Sequence, residues 1–276
     1  MSRKLLHIFR NNPLGRENLL QSINLCRKIP ELELYIHFPK HVQCLLLLDS
    51  GVLTLELDSS YTRFSQTAPK RAAEILSSTG ITWHEVKPEK FTSAGLEQLP
   101  GEWDLFACPR VISQSFNRIG LGRIGRKVRT VIKLSTFPIF IPSLCERDWN
   151  HVAAFFGGSE LGLKAVKQAL NIAEEAKVPV TVFTQLEQRP EEELRAVLQR
   201  DGVWERLQQL GGQWVIWRTG SLQENLWDVP GTSLAVVGAA ETPSVRELFL
   251  GGTFEVIQQT LPNPLIVVGA NCARLI

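Results

Sequence analysis

A regular alternation of short apolar runs and helix-length segments through residues 152–269 most constrains the fold. The runs are rich in β-branched residues and short enough to be strands. Strands are predicted at 152–156, 178–184, 213–218, 233–237 and 264–269, and helices at 159–177, 190–199, 222–227 and 245–260. Strands that are apolar on both faces and separated by helices predict a parallel sheet covered on both sides, because right-handed crossovers place a helix between successive parallel strands. The sequence therefore predicts a doubly wound α/β unit.

The turn after the first of these strands has the clearest local signals. Gly157 and Gly158 end the apolar run, Ser159 can cap the following helix, and Glu160 suits its first turn. In doubly wound sheets ligands bind at the carboxyl ends of strands, where the winding reverses. The turns after residues 156 and 237 are therefore candidate ligand sites.

The first half of the chain repeats this order more loosely. Strands are predicted at 5–9, 33–37, 81–85 and 104–107, helices at 16–27 and 69–77, and a hairpin through 44–57. Its closing segment matches best: Gly125 lies 13 residues before Pro138, as Gly251 lies 13 before Pro264. Each glycine opens a helix and each proline an apolar strand, which indicates internal duplication. Domains are predicted at 1–147 and 148–276.

Composition excludes several classes of protein. The 30 Lys+Arg nearly balance 28 Asp+Glu, so neither nucleic acid nor an anionic membrane is an expected partner. A basic run is interpreted as a solvated helix face; it comprises Arg118, Arg123, Arg126, Lys127, Arg129 and Lys133. No apolar stretch approaches the roughly 20 residues that span a bilayer, and no export signal is visible, so a soluble cytoplasmic protein is expected.

The residues that could carry chemistry are sparse. Five cysteines form no C-x-x-C pair and are expected to be reduced and mostly buried, and no metal site is predicted. A nucleophile elbow, a P-loop lysine motif and an H-E-x-x-H sequence are all absent. Enzymatic turnover is therefore not expected.

The segments FFGGSELGLKAVKQALNIAEEAKVPVTVFT and LAVVGAAETPSVRELFLGGTFEVIQQTLPNPLIVVG resemble the opening and closing parts of a universal stress protein domain. The resemblance covers nearly all of 152–269 and is fainter in the first half. It implies a tandem of two five-stranded, mainly parallel domains of the Rossmann-like, adenine nucleotide alpha hydrolase-like type. Such domains pair through their last strands, here 137–142 and 264–269, which would otherwise be exposed apolar edges. An intrachain pseudo-dimer is predicted, and a homodimer of the chain is left open.

The resemblance also implies a nucleotide site, with ATP as the candidate ligand and no other cofactor. In that family the first strand ends in an Asp-Gly-Ser-like turn, and the fourth leads into Gly-x-x-Gly, nine residues, then Gly-Ser/Thr. The positions that match or replace this pattern are Gly157, Gly158, Ser159, Gly238, Gly251, Gly252 and Thr253. Gly157 stands in place of Asp, Gly252 in the Ser/Thr position with Thr253 one residue later, and Glu241 in place of the second glycine.

These departures have physical consequences. Glycines allow close backbone approach to phosphates, but a carboxylate at Glu241 repels them unless an arginine or a divalent cation intervenes. Losing the Asp acceptor at Gly157 removes a charge-assisted hydrogen bond worth about 1.5–3 kcal/mol. A packing or capping role for the glycine turns remains an alternative.

Three functions follow from this pattern. The favoured one is a stress-response binding or regulatory protein, with a nucleotide in the second half and no turnover. The second is a nucleotide-hydrolysing enzyme in which Glu241 holds Mg²⁺ or orients water. The third is an interaction module whose pockets are filled by its own side chains.

Overall fold

The computed structural model describes residues 2–48, 51–93, 95–112, 124–187, 189–239 and 252–276. Its strands are β1 (Arg3–Ile8), β2 (Leu32–His37), β3 (Gln43–Leu48), β4 (Gly51–Glu56), β5 (Trp83–Val86), β6 (Lys90–Phe91), β7 (Glu97–Leu99), β8 (Leu105–Ala107), β9 (Ile139–Ile141), β10 (His151–Phe155), β11 (Val180–Gln185), β12 (Gln213–Trp217), β13 (Ser233–Ala239) and β14 (Leu265–Gly269). Its helices are α1 (Pro13–Lys28), α2 (Ala68–Ser77), α3 (Arg126–Leu134), α4 (Glu160–Ala176), α5 (Glu191–Arg200), α6 (Val203–Gln209), α7 (Leu222–Asn225), followed by a 3-10 turn at Leu226–Asp228, and α8 (Thr253–Thr260).

The main sheet has ten strands in the order β12-β11-β10-β13-β14-β9-β8-β1-β2-β5. Strands β10 to β14 form a parallel set, here called the C-terminal half, and strands β1, β2, β5, β8 and β9 form a second parallel set, the N-terminal half. When each set is read from its outer edge toward the other set, its strands follow the chain order third, second, first, fourth, fifth. The predicted duplicated, doubly wound α/β architecture is confirmed, because both sets reverse their winding between the first and fourth strand.

The two halves join at an antiparallel seam between β14 and β9. Ile266 lies opposite Phe140, flanked by the pairs Leu265–Ile141 and Val267–Ile139, and all six side chains are buried. Unpaired apolar edges invite association, so pairing the two last strands removes both. The prediction that the last strands build an intrachain pseudo-dimer is confirmed.

Each face of the main sheet carries one continuous apolar core that spans both halves. Leu5 and Leu6, neighbours on β1, point into different cores because successive strand residues alternate between faces. One core contains side chains of α1, α2, α4, α5 and α6. The other contains side chains of α3, of the 3-10 turn after α7 and of α8, together with those of a second, four-stranded sheet.

That second sheet extends the predicted hairpin. Strands β3 and β4 pair antiparallel as expected, and β7 and β6 add to them in the order β4-β3-β7-β6. The sequence did not predict β6 and β7, because strands of two and three residues leave too short a periodicity to detect. One of the two buried residues of β7 is moreover the carboxylate Glu97, which does not look like a buried position in the sequence.

Other elements depart from prediction in detail. Helix α6 was missed, since Gly202 interrupts the helical pattern and the new helix begins directly after it. A helix was predicted over 245–260; the described helix α8 begins at Thr253, after Gly252, and residues 245–251 lie outside the described part of the chain. Strand β13 runs to Ala239 and so includes Gly238, which was expected in the following loop.

The basic run predicted to be a solvated helix face lies partly on α3. Lys127 forms an ion pair with Glu56 on β4 at 2.6 Å, and Arg129 forms one with Glu255 on α8. Arg118 and Arg123 lie outside the described residues. The basic face of α3 therefore contacts β4 and α8 as well as solvent. Among the described residues, no helix has the length and apolar character needed to cross a membrane.

Candidate functional site

The predicted site residues that the structure describes lie around the winding reversal of the C-terminal half. Strands β10 and β13 are neighbours there, with Ala154 opposite Val236. The turn that follows β10 and the last residues of β13 therefore share the carboxyl edge of the sheet. Gly251 and Glu241 fall outside the described residues.

The turn after β10 combines an open position with a tightly packed one. Gly157 is exposed, and among the described residues no atom beyond its two chain neighbours lies within 4 Å of where its Cβ would stand. Gly158 adopts φ +81°, a conformation that favours glycine, and a Cβ there would lie 2.6 Å from Leu194 Cδ2. Ser159 Oγ accepts the N–H of Gly162 at 3.0 Å, so it caps α4 as predicted.

Arg189 also belongs to this turn, and the sequence did not point to it. Its Nη1 donates to the carbonyl oxygen of Gly158 at 2.7 Å, and its Nε lies 3.9 Å from Glu193. Arg189 lies in the connection from β11 to α5, and only the pairing of β10 with β11 brings that loop beside the turn. It places a partly exposed positive charge at the edge where an anionic ligand is predicted.

Gly238 serves close packing between β13 and α4. A Cβ there would lie 2.9 Å from both Cγ and the carbonyl oxygen of Leu161, in the first turn of α4. This matches the packing alternative for the glycine pattern. Gly238 therefore sets how near the first turn of α4 comes to the edge of the sheet.

Gly252 and Thr253 form the start of α8. Gly252 is the N-cap, with its carbonyl oxygen accepting from Glu255 N at 2.7 Å, and Thr253 is the first helical residue. In the N-terminal half the corresponding N-cap is Gly125, which begins α3. The equivalent of Gly125 is thus Gly252 rather than Gly251. Because α8 has eight residues and α3 has nine, the N-cap lies 12 residues before Pro264 in one half and 13 before Pro138 in the other, and Gly251 itself lies outside the described residues.

The turns after β1 and β10 are structural equivalents. Their sequences are FRNNPLG at 9–15 and FGGSELG at 156–162. Asn12 and Ser159 are the helix caps, and each accepts the N–H of the glycine three residues on, at 2.7 and 3.0 Å. The residue after the phenylalanine is consequently Arg10 in one half and Gly157 in the other.

Arg10 fills the carboxyl edge of the N-terminal half. Its side chain is 8% exposed, forms an ion pair with Asp58 at 3.1 Å, donates to Ser60 and lies 5.3 Å from the ring centre of Tyr61. The residues around it belong to the segment that follows the β3–β4 hairpin. That edge is closed by the chain itself, whereas no described residue fills the equivalent position at Gly157 in the C-terminal half.

Two cavities lie away from this site. One, of about 500 Å³, is lined by Arg3, Pro30, Glu31 and Glu175, at the start of β1 and so at the amino edge of the sheet. The other, of about 170 Å³, lies between β4 and α3. The described site residues therefore form an exposed edge rather than one of these two hollows.

The cysteines are placed as predicted, with Cys26, Cys44, Cys108 and Cys272 buried and Cys145 exposed. Burial raises the pKa of the Cys26 and Cys44 thiols to about 12 and that of Cys272 to about 11. Such thiols are protonated at neutral pH and poorly nucleophilic. Within the described ranges, no group of three His, Cys, Asp or Glu side chains is arranged to hold a metal ion.

Comparison with known proteins bears on the fold. No protein-family model and no curated protein matches the chain. The structure of a universal stress protein from Archaeoglobus fulgidus matches at 15% identity with a TM-score of 0.62, over 98% of this chain and 97% of that chain. A candidate universal stress protein of Pseudomonas aeruginosa matches at 13% identity with a TM-score of 0.55, over 97% and 93% of the two chains.

A third similar structure comes from a different setting. It is the cytoplasmic domain of a prokaryotic cation chloride cotransporter, at 10% identity and a TM-score of 0.52, over 98% of this chain and 97% of that domain. At these identities the likeness establishes the fold and leaves the chemistry to the residues at the site. The chain has the fold of the universal stress proteins over nearly its whole length, as two five-stranded units joined in one sheet.

Proposed function

We propose that this protein is a cytoplasmic stress-response binding or regulatory protein of two domains, 1–147 and 148–276, that binds a nucleotide in the second without turning it over. ATP is the first candidate. The observation that carries the proposal is the contrast between equivalent turns: Gly157 is exposed and no described side chain lies against it, whereas Arg10 is buried and paired. As far as the described residues go, one half leaves room for a ligand where Arg10 closes the other.

The neighbouring residues suit an anion. Arg189 supplies positive charge at the turn, and the turn opens α4, whose N-terminal amides carry a partial positive charge. Gly252 and Thr253 begin a second helix, α8, which packs against β13. Gly157, Gly158, Ser159, Gly238, Gly252 and Thr253 are proposed as parts of the site, together with Gly251.

Restoring the missing carboxylate should strengthen ATP binding. The resemblance places Asp where this chain has Gly157, and the open space there accepts a side chain. We expect Gly157→Asp to bind ATP roughly tenfold to a hundredfold more tightly than the wild type, since one charge-assisted hydrogen bond is gained. Isothermal titration calorimetry of both proteins measures this, alongside mass spectrometry of any small molecule released on denaturation.

The matched control is Gly231→Asp. Gly231 is also exposed, and the nearest atom to its Cβ position is Arg147 Nη1 at 3.9 Å. This variant adds the same charge far from the turn and should leave ATP affinity unchanged. Absence of binding at millimolar ATP in both the wild type and Gly157→Asp would refute the nucleotide proposal.

An assay of ATP hydrolysis distinguishes the alternative of a nucleotide-hydrolysing enzyme from the favoured proposal. It requires a carboxylate near the phosphates, and Glu241 is the candidate. Under the favoured proposal purified protein releases no phosphate from ATP above the background rate. If phosphate is released, Glu241→Gln should abolish release while sparing ATP binding, because the amide keeps the shape and loses the charge that holds Mg²⁺ or orients water.

The alternative of an interaction module without ligand draws on two observations. One edge of the sheet is already filled by Arg10, and the same fold occurs in a transporter's cytoplasmic domain. This alternative predicts no heat with ATP for any variant.

A further inference from the structure

We propose that Arg110 is a positioning residue through which the N-terminal half holds helix α8, so that the placement of Gly252 and Thr253 depends on the other half of the chain. The part of this proposal that concerns the ligand rests on the proposed function. The part that concerns α8 stands on geometry alone.

Arg110 reaches across the seam from the segment after β8. Its side chain is buried, with the residue 7% exposed. Nη1 donates to the carbonyl oxygen of Gln258 at 2.8 Å, and Nη2 donates to those of Asn263 at 3.2 Å and Leu261 at 3.4 Å. All three carbonyls belong to the last turn of α8 or to the loop that follows it.

The chemistry of a helix end explains why an arginine suits this place. The last carbonyls of a helix have no partner within the helix and carry its negative dipole end. A guanidinium offers several fixed N–H donors and a full positive charge. Burial lowers the pKa of Arg110 to about 10, which still leaves it protonated at neutral pH. Arg110 therefore contacts the end of α8 as a full positive charge at neutral pH.

Further contacts from the N-terminal half follow α8 toward its start. The fully buried amide of Gln258 accepts the N–H of Ile124 at 2.9 Å, just before α3. Nearer the start, Glu255 forms an ion pair with Arg129 of α3. Contacts at both ends of an eight-residue helix fix its direction as well as its position.

The C-terminal half makes a weaker counterpart of this contact on α3. Asn271, which follows β14, donates its Nδ2 to the carbonyl oxygen of Lys133 in the last turn of α3 at 2.9 Å. The C-terminal half thus contacts the end of α3 with one neutral amide, whereas the N-terminal half contacts the end of α8 with a buried arginine. Asn271 provides a matched control, because it crosses the same seam without touching α8.

The test compares Arg110→Met, Arg110→Lys and Asn271→Ala in the full chain. Hydrogen exchange followed by mass spectrometry reports on α8 and α3, and calorimetry reports on ATP affinity. We expect Arg110→Met to raise exchange in residues 253–261 by roughly tenfold or more, because charge-assisted hydrogen bonds are lost. ATP affinity should fall about fivefold or more. Arg110→Lys should recover part of both effects.

Asn271→Ala should raise exchange only in α3 and leave ATP affinity unchanged. Unchanged exchange in α8 of both Arg110 variants would overturn the proposal. Faster exchange with unaltered ATP affinity, or an equal affinity loss in Asn271→Ala, would overturn the coupling to the ligand. If the wild type binds no ATP, the proposed function fails, and the exchange of α8 decides the positioning role by itself. Should Arg110→Met not fold, Arg110→Lys against the wild type gives the same comparison.

Discussion

Replacing Glu97 by alanine is expected to lower the free energy of unfolding by about 3–5 kcal/mol, because it removes one partner of a buried, hydrogen-bonded carboxyl–histidine pair. Glu97 on β7 and His37 at the end of β2 are each 1% exposed, with Oε2 and Nε2 3.1 Å apart. The pair joins the second sheet to the main sheet. Its loss should therefore weaken the attachment of the whole second sheet.

The proton count shows why the loss is large. His37 Nδ1 lies 3.1 Å from the carbonyl oxygen of Val86, which can only accept, so Nδ1 carries a proton. The contact between Nε2 and the Glu97 carboxyl group then needs one further proton, held by either partner. Alanine leaves Nε2 buried without its partner and also removes the acceptor that lies 3.4 Å from Lys40 N.

Equilibrium urea denaturation measures this prediction. Glu97→Gln should lose less, because its amide can donate to a neutral Nε2. Glu85→Ala is the matched control on neighbouring β5, where the carboxylate is exposed and its removal should change stability by less than about 0.5 kcal/mol. A loss in Glu97→Ala no larger than that of Glu85→Ala would contradict the role assigned to the pair.

Replacing Phe140 by alanine should lower the free energy of unfolding by a similar amount, about 3–5 kcal/mol, through a cavity at the seam. Phe140 is 1% exposed and lies opposite Ile266 where the two halves meet. It belongs to the apolar core that spans both halves on one face of the sheet. Removing the ring should therefore weaken the packing between the two halves.

The measurement pairs urea denaturation with hydrogen exchange. In the wild type both halves should unfold in one transition, whereas in Phe140→Ala protection should fall most in β9 and β14. Leu144→Ala is the control, since Leu144 is a 53% exposed apolar residue and its truncation should change stability by less than about 0.5 kcal/mol. A loss below about 1 kcal/mol in Phe140→Ala would show that the seam adds little to stability.

Several features of the fold follow directly from short-range pattern. The runs that became β10, β11, β12, β13 and β14 were recognisable because buried parallel strands are apolar on both faces. The seam could be anticipated because β9 and β14 are too apolar to remain exposed edges. The cap at Ser159 was readable because the N-cap bond depends on residues three apart.

The contacts that distinguish the two halves were not readable in this way. Arg10 and Arg110 look like surface arginines in the sequence, and their burial depends on segments 48 and 148 residues away. The sequence around Glu97 is typical of a solvated carboxylate. Its burial depends on His37, which lies 60 residues earlier in the chain and belongs to the main sheet. A charged side chain is buried only where a partner compensates its desolvation, and here the partners are distant in the chain. The local hydrophobic pattern of the sequence therefore cannot predict these pairings.

The sequence by itself determined the alternation of elements, the duplicated order and the glycine turn at the carboxyl edge, since each depends on periodicity or on neighbours within one turn. Only the tertiary structure decided that Arg10 closes the edge in one half, while no described residue fills the equivalent space at Gly157 in the other. It also decided that Gly238 serves packing and that Gly252 begins α8. These features depend on contacts between strands and helices that are far apart in the chain. Such contacts form only when long-range packing offsets the entropy lost in ordering the chain.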